Sequence, residues 1–185
     1  MMKKIMICSM MCLMTMFAKA QVLTSATIQK VFESVTMEED NGFSYHAERD
    51  NDGRITAMEV YRKKANREGD VVLTPALRYL YTYTGDGLLS SRTKYVWHGN
   101  SWRCFSRHDY SLKDHLYSVD YSRWNKKKGD FGQLIGRMTY TLQPNQTVET
   151  VACYYRHHRK GSLELAWQTE IVPPSVGMDY FLTRK

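Results

Sequence analysis

From Phe43 to Val172, apolar and polar residues alternate in short runs rich in Tyr, Thr, Val and Trp, broken every 10 to 16 positions by turn residues. A period of two places every second side chain on one face of an extended chain, and breaks at that interval match antiparallel strands joined by tight turns. The pattern predicts nine strands, near 43–50, 54–64, 77–84, 88–98, 101–112, 116–124, 131–143, 147–158 and 162–172. The connections are short, so each strand should pair with the next. The expected fold is mainly β, an antiparallel meander forming one open or curled sheet.

Ahead of the sheet, Ile28, Val31, Phe32 and Val35 recur at helical spacing behind Thr24 and Ser25, either of which can cap a helix. The segment is also rich in β-branched residues, which leaves a strand as the alternative. Pro173-Pro174 ends the last strand. The expected organisation is a leader over 1–20, an N-terminal segment over 21–42, the meander over 43–172 and a tail over 173–185.

Two turns predict register. With Gly99-Asn100 as a two-residue loop, glycine first suits type II′, and Trp97 then faces Trp102 while Tyr95 faces Cys104. If Gly85-Asp86-Gly87 is a three-residue loop with Gly87 left-handed, Tyr83 faces Leu89 and Tyr81 faces Ser91. On that register Tyr79, Tyr81 and Tyr83 share a face with Tyr95, Trp97 and Trp102. Such a face suits stacking against sugar rings, and suits equally well packing beneath the N-terminal segment or against a second copy of the chain.

The leader changes the charge. "MMKKIMICSMMCLMTMFAKA" has Lys3 and Lys4, an apolar run from Ile5 to Phe17, and Ala18-Lys19-Ala20, the pattern of a secretory signal cleaved near Ala20. The run is shorter than the roughly 18–20 residues that span a bilayer, and no other segment is long enough. A secreted or periplasmic protein without a transmembrane segment is expected. Three of the 26 basic residues leave with the leader, so the mature chain has 23 against 19 acidic ones, a net charge of about +4. That mild excess does not argue for nucleic acid. Two of the four cysteines also leave. Cys104 and Cys153 remain, on strands three spacings apart, about 14 Å, beyond the roughly 7 Å that a disulfide allows. They should be free thiols.

A meander sends alternate turns to opposite edges. One edge collects the tips near Gly53, Gly87, Asp114 and Asn145, with Asp50, Asp52, Asp86 and Asp114. The other collects Arg62, Lys63, Lys64, Arg67, Lys126, Lys127, Lys128, Arg156, Arg159 and Lys160, with His98, His157 and His158 nearby. A basic edge of this kind attracts an anionic glycan or protein, or serves solubility and keeps edges from pairing. The candidate ligand contacts are therefore Lys63, Lys64, Arg67, Lys126, Lys127, Lys128, Arg156, Arg159 and Lys160 on the edge, and Tyr81, Tyr83, Tyr95, Trp97 and Trp102 on the aromatic face.

Catalytic signals are missing. No phosphate-binding glycine loop, nucleophile elbow or zinc helix occurs. His157 and His158, as strand neighbours, should point to opposite faces, with no third ligand at a recognisable spacing. Cys104 and His108 share a face but lie about 13 Å apart, too far for a nucleophile and its base. Glu59, Asp109, Asp120 and Glu164 are scattered carboxylates that a glycoside hydrolase would have to assemble from separate strands. No cofactor is implied.

The stretches "ERDNDGRIT" and "YTYTGDGLL" repeat a glycine with an aliphatic residue two positions beyond, and the tips recur every 27 to 34 residues. With Tyr81-x-Tyr83 before Gly87, these hairpins resemble degenerate YD repeats, with Thr84 where Asp is typical. Together with the "AKAQ" leader end and Trp97-x-x-x-x-Trp102, the chain resembles small secreted β-meander proteins of unknown function from gut Bacteroidales. The resemblance implies architecture and no activity. The reading that follows is a non-catalytic binding or structural module of the cell envelope, with an envelope glycoside hydrolase and a self-associating structural protein as alternatives.

Overall fold

The computed structural model describes residues 22–38, 42–145, 147–158 and 161–171. The leader over 1–20, the tail over 173–185, Arg159 and Lys160 lie outside the described residues. Among the described residues, one helix, α1 (Ser25–Met37), precedes nine strands: β1 (Phe43–Arg49), β2 (Ile55–Ala65), β3 (Val71–Tyr83), β4 (Leu89–His98), β5 (Ser101–Lys113), β6 (Leu116–Asn125), β7 (Asp130–Leu142), β8 (Val148–Tyr155) and β9 (Glu164–Glu170). They form one antiparallel sheet in sequence order, β1 to β9. The meander expected from turn spacing is the fold observed.

Thr24 caps α1 reciprocally with Thr27: the Thr27 N–H donates to Thr24 Oγ1 at 3.2 Å and the Thr24 N–H to Thr27 Oγ1 at 3.4 Å. The helix buries Ile28 against Ile55, Met58, Tyr81 and Leu89, with Phe32, Tyr45 and Tyr79 around them. Its lead-in ties the tips together. Leu89 N–H donates to Leu23 O at 2.8 Å and Ser25 N–H to Gly87 O at 3.1 Å. Farther along, Leu23 N–H donates to the Tyr117 hydroxyl at 3.4 Å. A second core of Tyr117, Val119, Tyr140 and Leu142, joined by Val22, lies beyond.

Three of the sheet's bulges decide which of the candidate side chains face where. Ala76 is an extra residue in β3, since Val60 pairs with Leu77 but Tyr61 with Pro75. The strand therefore continues past Pro75 to Val71, where sequence reading placed an interruption. A bulge accommodates a proline that a regular ladder excludes. Ser90 is extra in β4, between the pairs Tyr83–Leu89 and Thr82–Ser91. Phe105 is extra in β5, between Tyr95–Cys104 and Lys94–Ser106. Each added residue turns the remainder of its strand over.

The consequence is two unlike faces. The face under α1, here the helix face, carries Tyr45, Met58, Tyr79, Tyr81, Arg92, Lys94, His108, Tyr110, Tyr117, Val119, Tyr121, Met138 and Tyr140. The outer face carries Glu59, Arg78, Tyr95, Trp97, Arg107, Asp109, Asp120 and Arg137. Its arginines meet carboxylates: Arg78 with Glu59 at 3.4 Å and Glu48 at 3.5 Å, Arg107 with Asp109 at 2.9 Å, and Arg137 with Asp120 through two bonds of 2.6 and 2.7 Å.

Candidate functional site

The turns sort as the meander requires, and one end of the sheet concentrates cations. Between β6 and β7, Lys126, Lys127 and Lys128 occupy a four-residue turn closed by Gly129, which takes φ +68°. Asn125 shapes it: its carbonyl accepts from Gly129 N–H at 2.9 Å and its side-chain oxygen from Lys127 N–H at 3.1 Å. With its backbone groups bonded inward, the turn leaves all three lysines exposed. Beside it opens a cleft of about 790 Å3, lined by Arg123, Trp124, the three lysines, Gln133, Arg156 and His158, with no carboxylate among the described residues of its wall.

The sequence-predicted edge divides here. Lys126, Lys127, Lys128 and Arg156 come together in this cleft. Lys63, Lys64 and Arg67 do not. They sit on the outer end of the β2–β3 hairpin, four strands away, or about 19 Å across the sheet. Arg156 is held by backbone: its Nε donates to Leu134 O at 2.7 Å, and a second guanidinium nitrogen donates to Gly161 O. It fixes the β8–β9 loop while adding charge to the cleft wall. His157 and His158 follow the end of β8 rather than continuing it, and both are exposed. Among the described residues, no three of His, Cys, Asp and Glu cluster as metal ligands would.

The predicted aromatic face separates into two. Tyr81 is 7 % exposed and belongs to the core under α1, and Tyr83 packs against that core with its hydroxyl donating to Ile55 O at 2.7 Å. Tyr95, Trp97 and Trp102 are on the outer face. The Ser90 bulge causes the split: it pairs Tyr81 with Arg92, not Ser91. The hairpin register itself is as expected, with Trp97 opposite Trp102 and Tyr95 opposite Cys104. Its turn is type I′ and not II′, because Gly99 and Asn100 both take positive φ, +56° and +65°. The Trp97 and Trp102 rings meet edge to face at 5.0 Å and 72°. A second such pair, Trp124 with Phe131 at 5.1 Å and 75°, flanks the lysine turn. The Arg107 guanidinium lies over Phe131 at 4.5 Å. Sequence reading missed that pair; Trp124 and Phe131 straddling a lysine-rich turn was its signal.

Other candidate chemistry disperses. Cys104 and Cys153 are free thiols, both pushed up by burial. Cys104 and His108 end on opposite faces, because Phe105 is inserted between them. Asp109 and Asp120 are directly opposite on β5 and β6, yet each is engaged by its own arginine on the outer face, away from both tryptophans of the β4–β5 hairpin.

Comparison with known proteins places this geometry. The sequence profile of DUF3836, a family of unknown function, matches residues 10–143. The chain belongs to that family. A crystal structure of a protein of unknown function from Bacteroides fragilis has TM-score 0.61 and 24 % identity, covering 73 % of this chain and 96 % of its own. The likeness is one of fold. Two DUF3836 proteins of known structure are also similar to the chain. The one from Bacteroides vulgatus has TM-score 0.46 and 20 % identity, covering 51 % of this chain and 92 % of its own. The one from Parabacteroides distasonis has TM-score 0.44 and 22 % identity, covering 54 % and 89 %. No curated protein matches the chain. Among the described residues no helix is long and apolar enough to cross a membrane.

Proposed function

We propose that this DUF3836 protein is a non-catalytic, secreted or periplasmic module of the cell envelope that recognises an anionic glycan through the lysine-rich end of its sheet. The observation that carries the reading is the cleft beside the 126–129 turn, whose wall holds Arg123, Lys126, Lys127, Lys128 and Arg156 and, among the described residues, no carboxylate. Cations gathered without counter-charge repel one another and gain when an anion arrives. The Trp124–Phe131 pair beside the turn adds apolar area of the kind that sugar rings stack on. The leader pattern of residues 1–20 supports the envelope location.

A glycan array probed at low and at physiological salt tests the proposal. Sulfated or phosphorylated glycans should be retained at low salt and weakened at physiological salt, with neutral analogues bound weakly or not at all. Equal binding to neutral and charged glycans would contradict it.

A further inference from the structure

On the helix face the sheet holds two further cations, Arg92 and Lys94, which neither the edge cleft nor the outer face accounts for; Arg123, in the cleft wall, borders them. Arg92 and Lys94 stand two residues apart on β4, and both guanidinium and ammonium lie near the Tyr79 ring, at 5.7 and 5.9 Å from its centroid. The Lys94 ammonium is also 5.7 Å from the Phe105 ring, whose centroid is 5.4 Å from the Arg123 guanidinium. Cations and rings thus alternate across β3 to β6 as Arg92, Tyr79, Lys94, Phe105, Arg123. His108, opposite Arg92, lies against Tyr121 at 5.1 Å. All but Arg123 are half-buried.

The contrast with the outer face is what needs explaining. There Arg78, Arg107 and Arg137 all have carboxylate partners. On the helix face Arg92, Lys94 and Arg123 form no ion pair among the described residues. Arg92 Nε and His108 Nδ1 are shielded from solvent with no hydrogen-bond partner among the described residues, as is Arg78 Nε on the outer face, but Arg78 has the charges of Glu48 and Glu59 within 3.5 Å and Arg92 has no carboxylate. Desolvated like charges are costly, and a fold that needed only packing here would place apolar residues on a face otherwise full of tyrosine. Arginine offers a fixed fork of donors suited to tetrahedral oxyanions, lysine a mobile one, and ring faces between them suit a sugar carrying the anion. We infer that Arg92, Lys94 and His108 form a half-buried oxyanion site on the tyrosine face that takes a sulfate or phosphate monoester. The site is separate from the edge cleft and does not depend on the reading given to it. Burial, then the charge of Arg92, holds the Lys94 ammonium below the usual lysine range. An anion between the two relieves that penalty.

The test is thermal unfolding of the full mature chain in sodium sulfate or sodium phosphate against sodium chloride of matched ionic strength, with glucosamine 6-sulfate and glucosamine 6-phosphate as ester arms. A specific site raises Tm by about 3–5 °C for each tenfold of anion above its Kd. The sulfate and phosphate arms identify which monoester is preferred, and a rise in either supports the site. The rise should vanish in Arg92→Gln and Lys94→Met and persist in the triple variant Lys126→Gln, Lys127→Gln, Lys128→Gln. Lys94→Met should also unfold no earlier than wild type in chloride, because it removes a desolvated cation and keeps the stem. On the unmodified protein, titration with sulfate should shift the His108 ring resonances and leave those of the exposed His98 in place. No rise beyond chloride, a rise kept in both site variants, or one lost in the triple variant would overturn the proposal, as would a His108 signal indifferent to sulfate.

Discussion

At the scale of the residue, His108 is the most informative group. Burial, then the positive charges of Arg92 and Lys94, push its pKa from the ordinary 6.5 down to about 3. The groups around it are Arg92 and Lys94 from β4, Tyr110 on its own strand and Tyr121 from β6, and none is a carboxylate. The imidazole is neutral at neutral pH, and the sign of its effect follows. The unfolded chain takes a proton near 6.5 while the folded one does not until about 3, so stability is lost as pH falls through that window. Above 6.5 the residue adds no pH dependence. The remaining described histidines, His46, His98, His115, His157 and His158, are exposed. The unfolding free energy from denaturant titrations between pH 7 and about 5.5, above most of the carboxylate titration, should therefore fall in wild type, by up to about 1.4 kcal/mol per pH unit. The curve should be flatter in His108→Gln. Parallel curves for the two proteins would show that His108 is not the group responsible.

At the scale of the element, the positions of the turns were legible, while the type of the Gly99-Asn100 turn and the bulges were not. Gly87 at φ +81° and the Trp97–Trp102 pairing follow from turn chemistry that a few residues determine. The face of each side chain depends on parity, and a single added residue reverses it. Ser90-Ser91 and Cys104-Phe105 interrupt strict alternation, and those doublets are where Ser90 and Phe105 are inserted. Read without them, Tyr79, Tyr81 and Tyr83 join the tryptophans, and Arg92 and Lys94 fall on the opposite face from those tyrosines. The candidate site on the helix face was invisible for that reason. The hairpin offers an independent check. A double-mutant cycle on Trp97 and Trp102, each changed to Ala, should give a coupling of about 0.5–1.5 kcal/mol, as for other edge-to-face pairs. A coupling near zero would mean that the rings do not meet in solution.

At the scale of the whole molecule, a meander turns sequence order into spatial order. Every second loop reaches the same end, so the basic loops of separate hairpins point to one end of the sheet, while the tips near Gly53, Gly87 and Asp114 gather at the other end with α1's lead-in. The sorting was readable from the sequence because it needs only consecutive pairing. What was not readable is that strands two spacings apart hold their loops about 10 Å apart, so the basic edge breaks into a cleft at 126–128 and a separate projecting hairpin at Lys63, Lys64 and Arg67. The outer face, with its arginines paired to carboxylates, gives little field of its own, which leaves the lysine cleft and the unpaired cations of the helix face as the places where an anion gains. The measurement that bears most directly on the proposed function is the affinity for a sulfated polysaccharide across a sodium chloride series, for wild type and for the Lys126→Gln, Lys127→Gln, Lys128→Gln variant. Wild-type affinity should fall by about tenfold or more between roughly 0.05 and 0.3 M salt, and the variant should start weaker and vary less. Affinity independent of salt, or a variant that binds as wild type does, would contradict anion recognition at this end of the sheet.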